Sequence, residues 1–256
     1  MTGSYETLTF TKDGNIGRLE LTRPERLNAV AMTGAHELHD IVQKIAADPD
    51  LRLVTFTGTG RAFSTGIDLK DLAAGQIEPL YFDLWDRALR VIETMDKLAL
   101  CLIHGYAVGG GLQLALACDI RACTPSAKLG LPAIKEGLIP GLGTWRLARY
   151  VGLGRAKSLI IRGNMIDGTE AERIGMIDHL VDEDTARDEF EAFVTEYAAS
   201  NSAGCRQSKA MLLDCFDLGF DAFFEKYLRR QQLAMDAPDF AEAMTAYNEN
   251  RQPKWQ

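Results

Sequence analysis

The sequence predicts an α/β fold, with a core of alternating strands and helices over residues 1–195 and a helical C-terminal subdomain over 196–256. Three observations carry this. Short β-rich runs alternate with stretches of helical periodicity through the first half of the chain. Two strand-like runs break into glycine-bearing turns, Phe-Ser-Thr-Gly-Ile-Asp-Leu at 63–69 and His-Gly-Tyr-Ala-Val-Gly-Gly-Gly-Leu-Gln-Leu at 104–114, and each turn leads into a helix-like segment. Beyond residue 185 only helical spacing recurs.

Taken in order, residues 7–10 and 16–22 flank Lys-Asp-Gly-Asn, a hairpin signal. Residues 33–46 place Leu38, Ile41, Val42 and Ile45 at helical spacing and stop before Asp48-Pro49. A β-rich run over 51–57 leads to Gly58-Thr-Gly60. Residues 81–97 form an amphipathic helix with Leu84, Ala88, Val91, Ile92 and Met95 on one side. Strands follow at 98–103, 120–124 and 128–131, with a helix over 110–118 between the first two. A helix at 155–162 precedes Thr169-Glu-Ala-Glu172, a capping box closed by Gly175. Residues 179–181 make a last short strand, and 185–200, 204–213, 221–234 and 238–250 read as helices.

Composition narrows the function classes. A chain of 256 residues can bury a sizeable core. Its net charge of −8, with no Lys/Arg run, makes nucleic acid or an anionic membrane surface a poor partner. An anionic ligand would need local basic groups. Of the five cysteines, Cys101, Cys118 and Cys123 lie in apolar patterns, where a free thiol behaves as a small hydrophobe. The Cys118/Cys123 spacing has no companion ligands, so no metal site is expected, and a reducing cytoplasm fits best. The start, Met-Thr-Gly-Ser-Tyr-Glu, has neither a basic nor an apolar stretch, so no secretory leader is expected. Residues 98–118 lack charge over a length that could span a bilayer. They also contain His104, Gln113 and four glycines, and a strand-to-turn transition cannot face lipid. A buried core segment is the expectation.

The two glycine turns carry the functional signal. A strand that enters a glycine turn and then a helix leaves backbone N–H groups unpaired at the turn. Two such turns facing each other supply two donors to one oxygen, the device that holds a developing oxyanion. At Gly109–Gly111 no Cβ blocks a carbonyl from the helix N-terminus, where the helix dipole adds positive potential. Taken alone, the same glycines also suit tight strand–helix packing.

Together with Arg-Pro-Glu-Arg-Leu-Asn-Ala at 23–29, Ala-Cys-Asp-Ile at 117–120 and Gly-Leu-Ile-Pro-Gly at 137–141, these segments resemble, in order, the signatures of the crotonase (enoyl-CoA hydratase/isomerase) superfamily. The likeness covers nearly the whole chain. It implies a spiral of repeated ββα units, a trimer or dimer of trimers, and a coenzyme A thioester as substrate or ligand, with no permanently bound cofactor. By position it implies an oxyanion hole from the backbone N–H groups of Ile67 and Gly110. It places coenzyme A along Arg26, Leu27 and Ala29 and along Thr65, Ile67, Asp68 and Leu69. Arg26 and Lys70 suit phosphate contacts or, equally, solvated surface charges. Tyr247 and Arg251 match positions that contact the nucleotide end in relatives. Asp68 reads as the cap of the following helix.

The chain departs from the family pattern where proton chemistry is expected. Hydratases of this family use two glutamates, whose positions fall here on Gln113 and Ala133. A carboxamide orients water but exchanges no proton near neutral pH, and alanine offers no polar atom. Losing one positioned acid–base group costs on the order of a hundred- to ten-thousand-fold in rate. Glu136, three residues beyond Ala133, is a candidate relocated acid or base if a helical turn brings both to one face, or else a surface carboxylate paired with Lys135 or Arg146. The loop at 140–145 reads one residue shorter than usual. Trp145 reads as a core anchor or, alternatively, as lining for an acyl pocket. Asp119 and His104 read as structural. A lyase- or isomerase-type enzyme and a non-catalytic acyl-CoA carrier both fit this set of residues.

Overall fold

The computed structural model describes residues 5–255. Strands β1 (Leu8–Asp13) and β2 (Ile16–Leu21) form the expected hairpin, from Leu8 opposite Leu21 to Asp13 opposite Ile16, around Gly14 at φ +58°. A six-stranded sheet continues through β3 (Leu53–Gly58), β4 (Leu98–Ile103), β6 (Ile120–Cys123) and β9 (His179–Leu180), and every pairing after the hairpin is parallel. A second sheet joins β5 (Tyr106–Val108), β7 (Lys128–Gly130) and β8 (Met165–Asp167). Single parallel bridges, Ser64 with Ala107 and Val30 with Ile67, extend the pairing beyond these strands.

The chain thus repeats one course: a strand of the large sheet, a short extended segment, then helix. The first turn is β2, Val30 and α1 (Met32–Ala47); the second is β3, the 64–67 segment, α2 (Leu69–Ala73) and α3 (Leu80–Thr94). The third is β4, β5 and α4 (Gly110–Ala117); the fourth is β6, β7, α5 (Gly143–Val151) and α6 (Leu153–Arg162). This is the ββα spiral that the family resemblance implied.

Strand β4 explains why residues 98–118 are so apolar. All six of its residues are buried, and by the period-2 rule they serve two cores. Ala99, Cys101 and Ile103 join the main cluster with α1, α3 and α4; Leu98, Leu100 and Leu102 join a second cluster under Phe190 and Val194 of α8 (Ala186–Ser200). The segment divides into β4, β5 and α4, and among the described residues no helix is long and apolar enough to cross a membrane.

Some expectations need correction. Helix α5 and strands β5 and β8 were not singled out by periodicity, since short or glycine-led elements carry too few apolar repeats to register. The cap of α7 (Gly168–Arg173) is Asp167, whose Oδ1 accepts from the Glu170 amide at 2.9 Å, rather than Thr169. The aspartate two residues earlier, in extended backbone, starts the helix at Gly168 and caps the Glu170 amide, so Thr169 falls inside the helix. Beyond α8 the chain forms α9 (Ala203–Leu212), α10 (Phe220–Asp236) and α11 (Pro238–Asn248). Helix α10 buries none of its residues, and Phe220, Phe224, Tyr227, Leu228 and Leu233 are exposed on it.

Candidate functional site

The spiral brings the two glycine turns side by side. The amides of Phe63 and Ser64 donate to the carbonyls of His104 and Tyr106, each at 2.9 Å, and Val108 donates back to Ser64 at 3.0 Å. Missing side chains then let the two backbones touch. A Cβ on Gly66, which sits at φ +77°, would lie 2.5 Å from the Gly110 nitrogen; one on Gly111 would lie 2.2 Å from the Ser64 carbonyl oxygen. Ile67 directly follows Gly66. In its bridge to Val30 the bonds are made by its neighbours, Val30 N to Gly66 O at 2.7 Å and Asp68 N to Val30 O at 2.9 Å. Parallel pairing of this kind turns the amide of Ile67 itself to the opposite edge. Gly110 opens α4, so its amide has no acceptor within the helix. Among the described residues neither amide donates a hydrogen bond.

The ledge beside this pair is built by polar residues that the sequence reading passed over. Leu27 and Asn28 sit in the left-handed region at φ +52° and +54°. Buried Asn28 pays for that conformation with three bonds: Oδ1 accepts from Arg23 N at 2.8 Å, and Nδ2 donates to Thr59 O and Ala62 O. Ser64 Oγ donates to Asn28 O at 2.8 Å and accepts from Gly66 N at 3.1 Å. The lone polar residues inside the Leu-Asn-Ala and Phe-Ser-Thr segments were the available signal. Thr65 N donates to Leu27 O at 3.1 Å, so the 26–29 turn and the 65–69 segment form one surface, with Ala29 buried and Leu69 exposed.

Asp68 caps α2 as expected, accepting from the Lys70 and Asp71 amides. It also holds Arg26 at 3.0 Å, and Asp71 holds the same guanidinium at 3.4 Å. Arg26 is thereby oriented by two carboxylates, whereas Lys70 is exposed. Tyr247 is 82% exposed on α11, and Arg251 is held by Glu242 and Glu249.

On the other side of α4's first turn stand the side chains. Gln113 is buried one helical turn past Gly110, and its Oε1 accepts from Gly143 N at 3.0 Å. Among the described residues its Nε2 donates no hydrogen bond. Ala133 and Glu136 lie on a 3-10 turn (Ala133–Glu136), whose geometry eclipses positions three apart, so the two share a face as expected. Glu136 is exposed, and Arg146 does not pair with it. Arg146, 1% exposed, instead bonds Glu93 through Nε at 2.5 Å and Asp86 Oδ1 through NH1 at 3.0 Å. Trp145 is only half-buried, its ring covered by the Arg149 guanidinium at 3.6 Å, so it is not the core anchor expected.

Two further groups border the Gly110 end of α4. Tyr81 and Trp85 stack at 6.3 Å, and the edge of the Trp85 ring would lie 3.4 Å from a Cβ on Gly110. Among the described residues the buried Tyr81 hydroxyl and Trp85 indole N–H have no hydrogen-bond partner. Burial, reinforced by Asp68 and Asp86, drives the Tyr81 phenol far above its ordinary pKa, so it stays a neutral donor. His104 Nε2 meets Gly60 O at 3.1 Å, and burial lowers its pKa. Asp119 accepts from Ala99 N and Lys209 Nζ, both at 2.8 Å, which is the structural role expected of it. A cavity of about 620 Å³ lies at the far end of α4, lined in part by Leu116, Cys118, Tyr150 and Phe216; neither turn amide lines it.

The family model for enoyl-CoA hydratase/isomerase matches residues 11–256. A Mycobacterium tuberculosis protein named as a probable enoyl-CoA hydratase is 32% identical over 259 residues, 98% of each chain. A crotonyl-CoA hydratase of Syntrophomonas wolfei is 30% identical over 253 residues, 97% of each. The crystal structure of an enoyl-CoA hydratase from Bacillus anthracis superposes with a TM-score of 0.91 at 27% identity, covering 98% of this chain and 99% of that one.

Proposed function

This chain belongs to the enoyl-CoA hydratase/isomerase family, and from that premise we propose that it binds an acyl-coenzyme A thioester with the thioester oxygen between the amides of Ile67 and Gly110. The observation that carries this is the contact of Gly66 with Gly110, which sets two undonated amides on adjoining backbones. Hydrogen bonds to that oxygen strengthen as it gains charge, so the pair favours an enolate over the bound thioester. The coenzyme A moiety runs along Arg26, Leu27 and Ala29 and along Thr65, Ile67, Asp68, Leu69 and Lys70, and Tyr247 and Arg251 lie toward its nucleotide end.

The reaction class is lyase or isomerase chemistry through such an enolate. The two-carboxylate hydration route is impaired, because Gln113 is a carboxamide already bonded to Gly143 and Ala133 has no polar atom. The same two positions favour a second reading, an acyl-CoA carrier or sensor that keeps the cleft and performs no chemistry. The chain works in the cytoplasm as a homo-oligomer, a trimer or a dimer of trimers, and the apolar side chains left exposed on α10 support that association.

Calorimetric titration with a panel of acyl-CoA thioesters, alongside product analysis, tests these readings. Binding with turnover is the expected result. Binding without any product favours the carrier. Failure to bind any thioester ends both.

A further inference from the structure

The Arg146 cluster contains two carboxylates, Asp86 and Glu93. Asp86 lies on α3 one turn beyond Phe82 and two turns before Glu93, so Asp86 and Glu93 face α5 together. Arg146 bonds both, but it takes only one oxygen of Asp86, Oδ1. Among the described residues Oδ2 accepts no hydrogen bond, and the side chain remains one-fifth exposed. That free oxygen is directed at a specific place. A Cβ built on Gly141 would lie 3.1 Å from Asp86 Oδ2, 3.2 Å from Gln113 Oε1 and 3.7 Å from Gln113 Nε2. Gly141, at φ +48°, leaves that space empty of side chain, and one free carboxylate oxygen and one carboxamide border it.

Gln113 occupies the first glutamate position and lies one turn, roughly 4.5 Å along the axis, beyond the Gly110 amide. An acyl chain whose thioester oxygen sits at that amide has its first carbons beside Gln113. Glu136, by contrast, is exposed on its 3-10 turn, with no group of the cleft bonded to it.

We propose that Asp86 is the proton-transferring carboxylate of this site and that it replaces the glutamates lost at 113 and 133. The inference rests on the thioester-binding reading above. In the step it performs, Asp86 Oδ2 takes a proton from the α-carbon of the bound acyl group. The C–H electron pair forms the enolate double bond, and the carbonyl pair moves to the oxygen held by the Ile67 and Gly110 amides. Asp86 then gives up a proton and is regenerated as the carboxylate. The same proton delivered to the γ-carbon completes double-bond migration, whereas replacement of the proton on the one-fifth-exposed carboxyl by a solvent deuteron, then delivered to the α-carbon, completes exchange. Arg146 fixes the carboxylate through Oδ1 and leaves Oδ2 as the reactive oxygen. The substrate class is an acyl-CoA with abstractable α-hydrogens, such as a 3-enoyl thioester.

The test is α-hydrogen exchange in D2O, followed by mass spectrometry of a bound 3-enoyl-CoA, with affinity measured in parallel by calorimetry. Asp86→Asn keeps an oxygen for Arg146 and is expected to cut exchange at least a hundred-fold while leaving the dissociation constant within about threefold of the parent, a ratio worth less than 1 kcal/mol. Asp86→Glu is expected to recover part of the exchange. Asp83→Asn, an exposed position on the same helix paired with Arg87, serves as the folding and handling control. Undiminished exchange in Asp86→Asn overturns the proposal, as does loss of exchange in Glu136→Gln while Asp86→Asn retains it. A parent protein that binds thioesters but exchanges nothing also overturns it. A parent that binds no thioester refutes the binding reading instead.

Discussion

The two sides of α4's first turn are made of different material. On one side are backbone amides, those of Ile67 and Gly110, fixed by glycines whose neighbours leave no room for a Cβ. On the other are side chains, Gln113 and Asp86, which border the space beside Gly141. The amide side cannot change without disturbing the packing of two spiral turns against each other. The side-chain side can exchange a carboxylate for a carboxamide or a methyl with little cost to the fold. This contrast lets a chain about 30% identical over its full length to proteins named as hydratases or probable hydratases keep both glycine turns while carrying Gln113 and Ala133.

Four variants test this contrast, in order of declining effect. Arg146→Ala attacks the side-chain half at its anchor, because it leaves buried Glu93 without its closest cation and Asp86 without a clamp. Removing one partner of such a pair costs roughly 3–5 kcal/mol, read as a lowered urea midpoint. Gly66→Ala attacks the amide half. Its φ of +77° and the 2.5 Å approach to Gly110 N combine strain and overlap, for a cost on the order of 3 kcal/mol, and thioester binding is lost with it. Third, crotonyl-CoA hydration by the parent is expected to be weak, and the Gln113→Glu/Ala133→Glu double variant is expected to raise it on the order of a hundred-fold in an absorbance assay. A parent that already turns over at ordinary enzymatic rates contradicts the division drawn here.

The smallest effect concerns His104, away from the chemistry. Its folded pKa lies below the ordinary histidine value because burial disfavours the cation. The unfolded chain therefore binds the proton more readily, so stability is full above about pH 6.5 and declines as pH falls toward the folded value. His104→Asn removes that part of the decline, and urea unfolding at pH 7 and pH 5 measures it.

The fold was legible in the sequence wherever apolar spacing was long enough to count. Helices α1 and α3 and the buried run of β4 fell at or within a few residues of their expected positions. Strand β5 and helix α5 escaped because three residues or a glycine-led start give no periodicity. The amide side of the site was visible too, since glycine is an unusual residue with few reasons to recur in such a pattern. The Asp86–Arg146–Glu93 cluster was not. Arg146 lies on α5, more than fifty residues from both carboxylates on α3, and no local spacing pairs Asp86 with Gly141. The bonds from Asn28 to Thr59 and Ala62 and from Ser64 to Asn28 were hidden for the same reason, as each reaches across more than thirty residues.

The account stands on a thioester oxygen shared by two amides, and the vibration of that carbonyl reports on it directly. Infrared difference spectra of a bound acyl-CoA carrying a 13C-labelled thioester carbonyl should show its stretch moved to lower frequency than in free solution, as two donated hydrogen bonds weaken the double bond. A ligand that binds with its carbonyl stretch unmoved would contradict the site described here.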